Sequence, residues 1–144
     1  MKQVNALLLT LAVLLCCSSG VWAQEMKVKK HENPEWVRIA YVKFKPMMKD
    51  KAKGIIKDYF MKAGQNSGTQ QPMSFDLASG EYDMIVVFPL EKGIETLNYE
   101  MTEDDVKWMG EMSKLTGGPD KAMAKMQEFY SYVAKMDSDI AMKE

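Results

Sequence analysis

Trp36–Phe44 reads WVRIAYVKF. It is rich in β-branched and aromatic residues and runs into Lys45-Pro46, which makes it a strand. Alternation sorts it into two faces. Trp36, Arg38, Ala40, Val42 and Phe44 point one way, and Val37, Ile39, Tyr41, Lys43 and Lys45 the other. Both faces are apolar through the middle, so the strand is expected to be covered on both sides. Tyr82–Phe88 (YDMIVVF) carries a continuous apolar run from Met84 and has the same double-faced character. Ser79-Gly80-Glu81 joins it to Met73–Ala78 (MSFDLA), and the two segments read as a β-hairpin that Pro89 ends.

Between these strands the spacing predicts a helix over Lys49–Lys62. Ala52, Ile55, Ile56, Tyr59 and Phe60 form its apolar stripe, and Gly64 with Asn66-Ser67-Gly68 stops it. Gly54 inside it suggests close packing or fraying. After the hairpin, Thr102-Glu103-Asp104-Asp105 opens a second helix, with a hydroxyl to cap the first turn and acids at the positive end of the dipole. Its apolar face is expected at Val106, Met109, Met112 and Leu115, with Trp108 beside it. Gly117-Gly118 ends it, and Pro119 starts a third helix at the favoured first position. There Met123, Met126, Tyr130 and Val133 set the stripe, widened by Ala122, Phe129 and Met136. Asp137–Glu144 fits either a last helical turn or an edge strand.

The element order is strand, helix, strand, strand, helix, helix and a possible strand. That is the ferredoxin-like split βαβ order, α+β in class, with an extra helix in the C-terminal part. Helices cover one face of such a sheet. Strands apolar on both faces leave the other to be covered, and a second copy of the chain is the simplest cover, giving a homodimer.

Residues 1–23 have a different character. Lys2 is followed by an uncharged run from Ala6 to Cys17, and Val21-Trp22-Ala23 sets small residues where a signal peptidase reads. This is a secretory signal peptide, too short in its apolar part for a membrane span. Cleavage after Ala23 leaves a charged arm, Gln24–Glu35, and a domain from Trp36 to Glu144. Cys16 and Cys17 are the chain's two cysteines, and cleavage removes both. A lipid anchor on Cys16 or Cys17 is the second reading of the leader, although the small residue expected before the modified cysteine is missing. The expected compartment is a bacterial periplasm.

The chain holds 19 Lys and Arg against 20 Asp and Glu. So balanced a composition gives no basic face for nucleic acid. There is no Ser-His-Asp set, Cys-His pair, glycine-rich phosphate loop or HExxH after the leader, so hydrolase, kinase and zinc-enzyme chemistry have no residues to stand on. No motif calls for a cofactor or a metal.

Phe44-Lys45-Pro46, the GEYDMIVVF arm (Gly80–Phe88) and the element order resemble the dimeric α/β-barrel superfamily, which includes antibiotic-biosynthesis-type monooxygenases. The likeness runs from about Glu35 to Met142 and lies at the level of the fold. It implies paired sheets and a place between sheet and helices for a small aromatic or lipid-like ligand. Some members oxidise a substrate without a cofactor, and some bind haem. The Asn, Trp or His residues of the monooxygenase sites have no match here. The single histidine, His31, lies in the arm and reads as a solvated residue.

Arg38 and Asp83 are charges inside apolar strands, where a charge needs a partner or water. They sit either at the mouth of a ligand pocket or in a salt bridge or strand-end position. Trp36, Tyr41, Tyr82 and Trp108 complete the candidate ligand-binding set, against the plainer reading of aromatic core. Met109-Met112 and Met123-Met126 are two M-x-x-M pairs. Thioethers suit Cu(I), but they also fill irregular cores. Glu103-Asp104-Asp105 with Glu100 is explained by a helix start more simply than by a hard cation.

Overall fold

The computed structural model describes residues 27–143. The leader, the Cys16 and Cys17 question and the cleavage point lie outside the described residues. The compact unit spans Glu32–Glu144. Its elements are β1 (Glu35–Phe44), α1 (Lys49–Ile55), a π-helical turn (Ile56–Phe60), α2 (Met61–Ser67), β2 (Met73–Asp76), β3 (Met84–Pro89), a 3-10 turn (Gly93–Asn98), α3 (Glu103–Thr116), α4 (Pro119–Tyr132) and β4 (Val133–Lys143).

The four strands form one sheet in the order β2-β3-β1-β4, and every neighbouring pair is antiparallel. This is the expected ferredoxin-like α+β arrangement, with α4 as the additional helix. The ambiguous tail is strand: β4 leaves α4 without a loop and pairs with β1 from Phe44↔Val133 to Glu35↔Lys143. The hairpin also forms, but its strands are shorter and its connection longer than the sequence suggests. Leu77 N–H donates to the Asp83 carbonyl at 2.9 Å and closes the wider turn.

One helical run extends from Lys49 through Gly64 to Ser67, and Gly68 ends it in the left-handed region at φ 67°. Gly64 therefore does not stop the helix. Gly54 neither packs closely nor frays, for a methyl group there would meet nothing within 4 Å. The π turn re-phases the stripe. Before it, Ala52 and Ile55 face the sheet and join Val42, Phe44, Met84 and Phe129 in one core cluster. After it, Ala63 faces α3 and α4 and joins Met112 and Ala122 in a second. Tyr59 and Phe60 pack against both.

The capping box at Thr102 forms: Asp105 N–H donates to Thr102 Oγ1 at 3.1 Å, and Thr102 N–H donates to the Asp105 carboxylate at 2.8 Å. The stripes of α3 and α4 are rotated from their expected positions. Met112 is fully buried, whereas Val106 and Leu115 are exposed. On α4 the buried residues are Ala122 and Phe129, while Met123 and Tyr130 point outward. The cause is the layer beneath. α3 packs on α2 and on α4, α4 packs also on α1, and the small Ala63 and Ala122 allow the close approach.

Helices cover one face of the sheet only. The expectation that β1 is covered on both sides does not hold within a single chain. Val37, Ile39, Tyr41, Ile85 and Val87 are partly exposed on the other face, and Met73 and Phe75 of β2 extend it at 58% and 53% exposure.

Candidate functional site

The helix layer is shorter than the sheet. On the helix-facing side Ala40, Val42, Phe44 and Met84 are buried. Towards the other end of the same side, Trp36, Phe88 and Met142 are half-buried, and Arg38 and Ile140 are exposed. Register sets these side chains next to one another. Arg38 of β1 lies between Phe88 of β3 and Ile140 of β4, and Trp36 pairs with Met142. The Arg38 guanidinium stands over the Phe88 ring, 4.8 Å from its centroid. Such a contact orients the cation while leaving N–H groups outward.

The 3-10 turn borders this end. Leu90 N–H donates to the Trp36 carbonyl at 2.9 Å, and Gly93 comes so close to Trp36 that an added Cβ would stand 3.2 Å from its Cδ1. Glycine is favoured there, since Gly93 also has φ 60° and a side chain would have to push the Trp36 ring aside. On the same turn the Thr96 hydroxyl is shut away from solvent with no hydrogen-bond partner among the described residues.

Asp83 is at the opposite end of the strands. A β-bulge at Lys43/Phe44 breaks the β1–β4 ladder, and the Asp83 carboxylate accepts the Phe44 N–H at 2.8 Å. The Asp83 N–H donates to the Val42 carbonyl at 2.9 Å, and Lys49 Nζ donates to the Asp83 carbonyl at 3.3 Å. Arg38 and Asp83 form no salt bridge. Asp83 is the strand-end residue of the plainer reading, stitching the hairpin to β1.

Tyr41 and Tyr82 lie on the face without helices, their ring centroids 5.5 Å apart. The Tyr82 hydroxyl donates to the Asp137 carboxylate, and Lys135 Nζ bridges Glu81 at 2.9 Å and Asp137 at 3.1 Å. The bond to Asp137 pushes the Tyr82 hydroxyl above its ordinary pKa, and the same bond, with Lys135, holds Asp137 below its own. All of these groups lie at the surface, so the network orders the sheet edge and keeps each group in its ordinary charge state at neutral pH. Trp108 belongs to the second core cluster. Its Nε1–H donates at 3.1 Å to the carbonyl of Phe60, the last residue of the π turn.

Of the six candidate residues, then, the structure brings Trp36 and Arg38 together. It sets Tyr41 with Tyr82 on the opposite face and uses Asp83 and Trp108 in the framework. Phe88, Ile140 and Met142 complete the surface around Arg38. Ile140 and Met142 escape the sequence reading because the tail fits helix or strand, although the apolar spacing of Met136, Ile140 and Met142 is a signal for them; Phe88 reads only as one residue of an apolar run. Met109, Met112 and Met126 share the second core cluster, but Met123 is 46% exposed, so the α4 pair is split between core and solvent. No His, Cys, Asp or Glu group suited to a metal ion occurs among the described residues.

No protein-family model and no curated protein matches the chain. Solved structures do. A NIPSNAP family protein from Agrobacterium tumefaciens matches with TM-score 0.52 and 10% identity, over 82% of this chain and 93% of that one. A second NIPSNAP family protein from the same organism, of unknown function, also gives 0.52 and 10%, over 81% and 94%. A dimeric ferredoxin-like protein of unknown function from Thermobifida fusca gives 0.41 and 12%, over 83% and 100%. The likeness to the two NIPSNAP family proteins shows the fold. At such identity, chemistry does not carry over.

Proposed function

We propose that the chain is an exported, homodimeric protein that binds a small, largely apolar ligand on the uncovered end of the helix-facing side of its sheet. The observation that carries the ligand reading is the setting of Arg38, a charge held over Phe88 and between apolar strand neighbours where the helix layer stops short. Apolar lining with few polar groups is the general character of small-molecule sites. Trp36, Arg38, Phe88, Ile140 and Met142 are its proposed residues.

The open face supports the dimer. Val37, Ile39, Tyr41, Ile85, Val87 and Phe75 present an apolar surface to water, which a second sheet about a two-fold axis would bury. Export rests on the leader's sequence. Light scattering combined with native mass spectrometry on the purified protein tests the reading: a dimer carrying extra mass supports it and delivers the ligand. A clean monomer removes the barrel. A dimer from which no small molecule can be recovered, and which takes up none, removes the ligand.

The cofactor-independent monooxygenase alternative needs a polar side chain buried against the substrate; among the described residues none that is buried as a whole is polar or charged, and the unpartnered Thr96 hydroxyl is the one group that could serve. Binding without turnover is the better-supported reading of this scaffold.

A further inference from the structure

Arg38 is the only arginine in a chain that otherwise uses lysine for every fixed cation. The two are not equivalent. A guanidinium offers a planar fork that grips a carboxylate through two parallel N–H bonds, whereas an ammonium is a mobile point charge. Every ion pair among the described residues is made by a lysine. Arg38 has no acidic partner there, and its neighbours in register are Phe88 and Ile140. The nearest lysines of β4 are engaged elsewhere: Lys143 with Glu35 at 2.8 Å, and Lys135 with Glu81 and Asp137.

On the ligand-binding reading above, on which this inference rests, the uncovered end of the sheet offers one cation, pre-oriented, on an apolar floor. We infer that the ligand is a monoanion, a carboxylate on an aromatic or branched apolar body, anchored head-first by the Arg38 guanidinium with its body across Phe88, Ile140, Trp36 and Met142. Charge complementarity selects the head. One unpaired cation neutralises one negative charge, and the other cations at this end, Lys143 on Glu35 and Lys92 over the Tyr99 ring, already have partners, so a doubly charged phosphate monoester is the poorer match. The apolar strand neighbours select the body, since they gain nothing from a polar ligand.

Calorimetric titration of the purified protein with 2-naphthoate and with 2-naphthamide, alike in shape and different in charge, tests this. Naphthoate is expected to bind at least about tenfold more tightly, the worth of one charge-assisted contact. Arg38→Gln is expected to abolish that preference, the naphthoate losing far more affinity than the amide. Ile140→Asp provides a second route that leaves the arginine in place: it sets a carboxylate beside the guanidinium and should exclude naphthoate with unchanged thermal stability. Equal affinity for the two probes in the natural protein overturns the anion and leaves the apolar-ligand reading standing. A naphthoate preference that survives either substitution overturns Arg38 as the anchor. Failure of both probes to bind overturns the inference and the ligand-binding reading together.

Discussion

Replacing Asp83 with alanine removes the acceptor of a backbone donor that the sheet cannot satisfy otherwise. Phe44 lies past the last β1–β3 pair, Val42↔Met84, and the Asp83 carboxylate meets its N–H at 2.8 Å in a half-buried setting. A hydrogen bond to a charged acceptor contributes about 1.5–3 kcal/mol, and a stranded donor loses most of that. We expect Asp83→Ala to cost about 2 kcal/mol. With a urea slope of roughly 1.5–2 kcal/mol/M, the unfolding midpoint falls by about 1 M at constant slope. Asp83→Asn keeps a neutral acceptor and should lose about half as much. Equilibrium urea unfolding followed by far-ultraviolet circular dichroism reads both variants, and naphthoate titration of each reads the site. If Asp83→Ala unfolds within about 0.2 M of the natural protein while losing naphthoate binding, Asp83 belongs to a ligand site and its structural assignment is wrong.

Met112→Ala should destabilise by about 2–4 kcal/mol in the same unfolding assay, because Met112 is fully buried, whereas Met123→Ala should lie within about 0.5 kcal/mol of the natural protein; equal effects would contradict the phase of the two helix stripes. Val87→Lys sets a charge in the open apolar face and is expected to shift the proposed dimer to monomer in light scattering without unfolding the chain, and a persisting dimer would place the interface elsewhere. Acid should weaken the fold modestly through Asp76 and Glu128. Lys53 holds the Asp76 carboxyl below its ordinary 3.8, and Lys125, with the Tyr132 hydroxyl, holds Glu128 below its ordinary 4.5. The unfolded chain then binds more protons than the folded one. This stabilisation is complete above the ordinary values and is lost as pH falls through the lowered ones. Being exposed, the pairs contribute only about 0.2–1 kcal/mol each, and Asp76→Asn should flatten part of the acid limb of a thermal-melting profile.

Much of the architecture could be read from local chemistry. The alternation of Trp36–Phe44, the turn at Ser79-Gly80-Glu81, the box at Thr102 and the proline at 119 each act within a few residues, so each could be placed without tertiary knowledge. What escaped depends on distant contacts. Met123 and Tyr130 have helical spacing as good as Ala122 and Phe129, and only packing decides which pair turns inward, Ala122 with Ala63 and Met112, Phe129 with Phe44 and Ile55. The spacing of Met136, Ile140 and Met142 in the tail fits a helix or a strand, and pairing along β1 makes it a strand. The site behaved in the same way. Arg38 stood out as a charge in an apolar run, but its apolar surroundings come from two strands that are remote in sequence. Asp83 stood out equally, and only its place just past the end of the β1–β3 ladder, accepting the Phe44 N–H, explains it.

The pairing of β1 with β4 joins residues as far apart in sequence as Glu35 and Lys143, a separation of 108. During synthesis a ribosome must deliver nearly the whole domain before β1 acquires its second neighbour. Until then β1 presents a bare hydrogen-bonding edge, and the helices have only three strands to rest on. Such long-range closure is slow, because the entropy of a large loop is lost before the contacts form. The nascent chain therefore stays loose until late and exposes a sticky edge to any neighbour that arrives first.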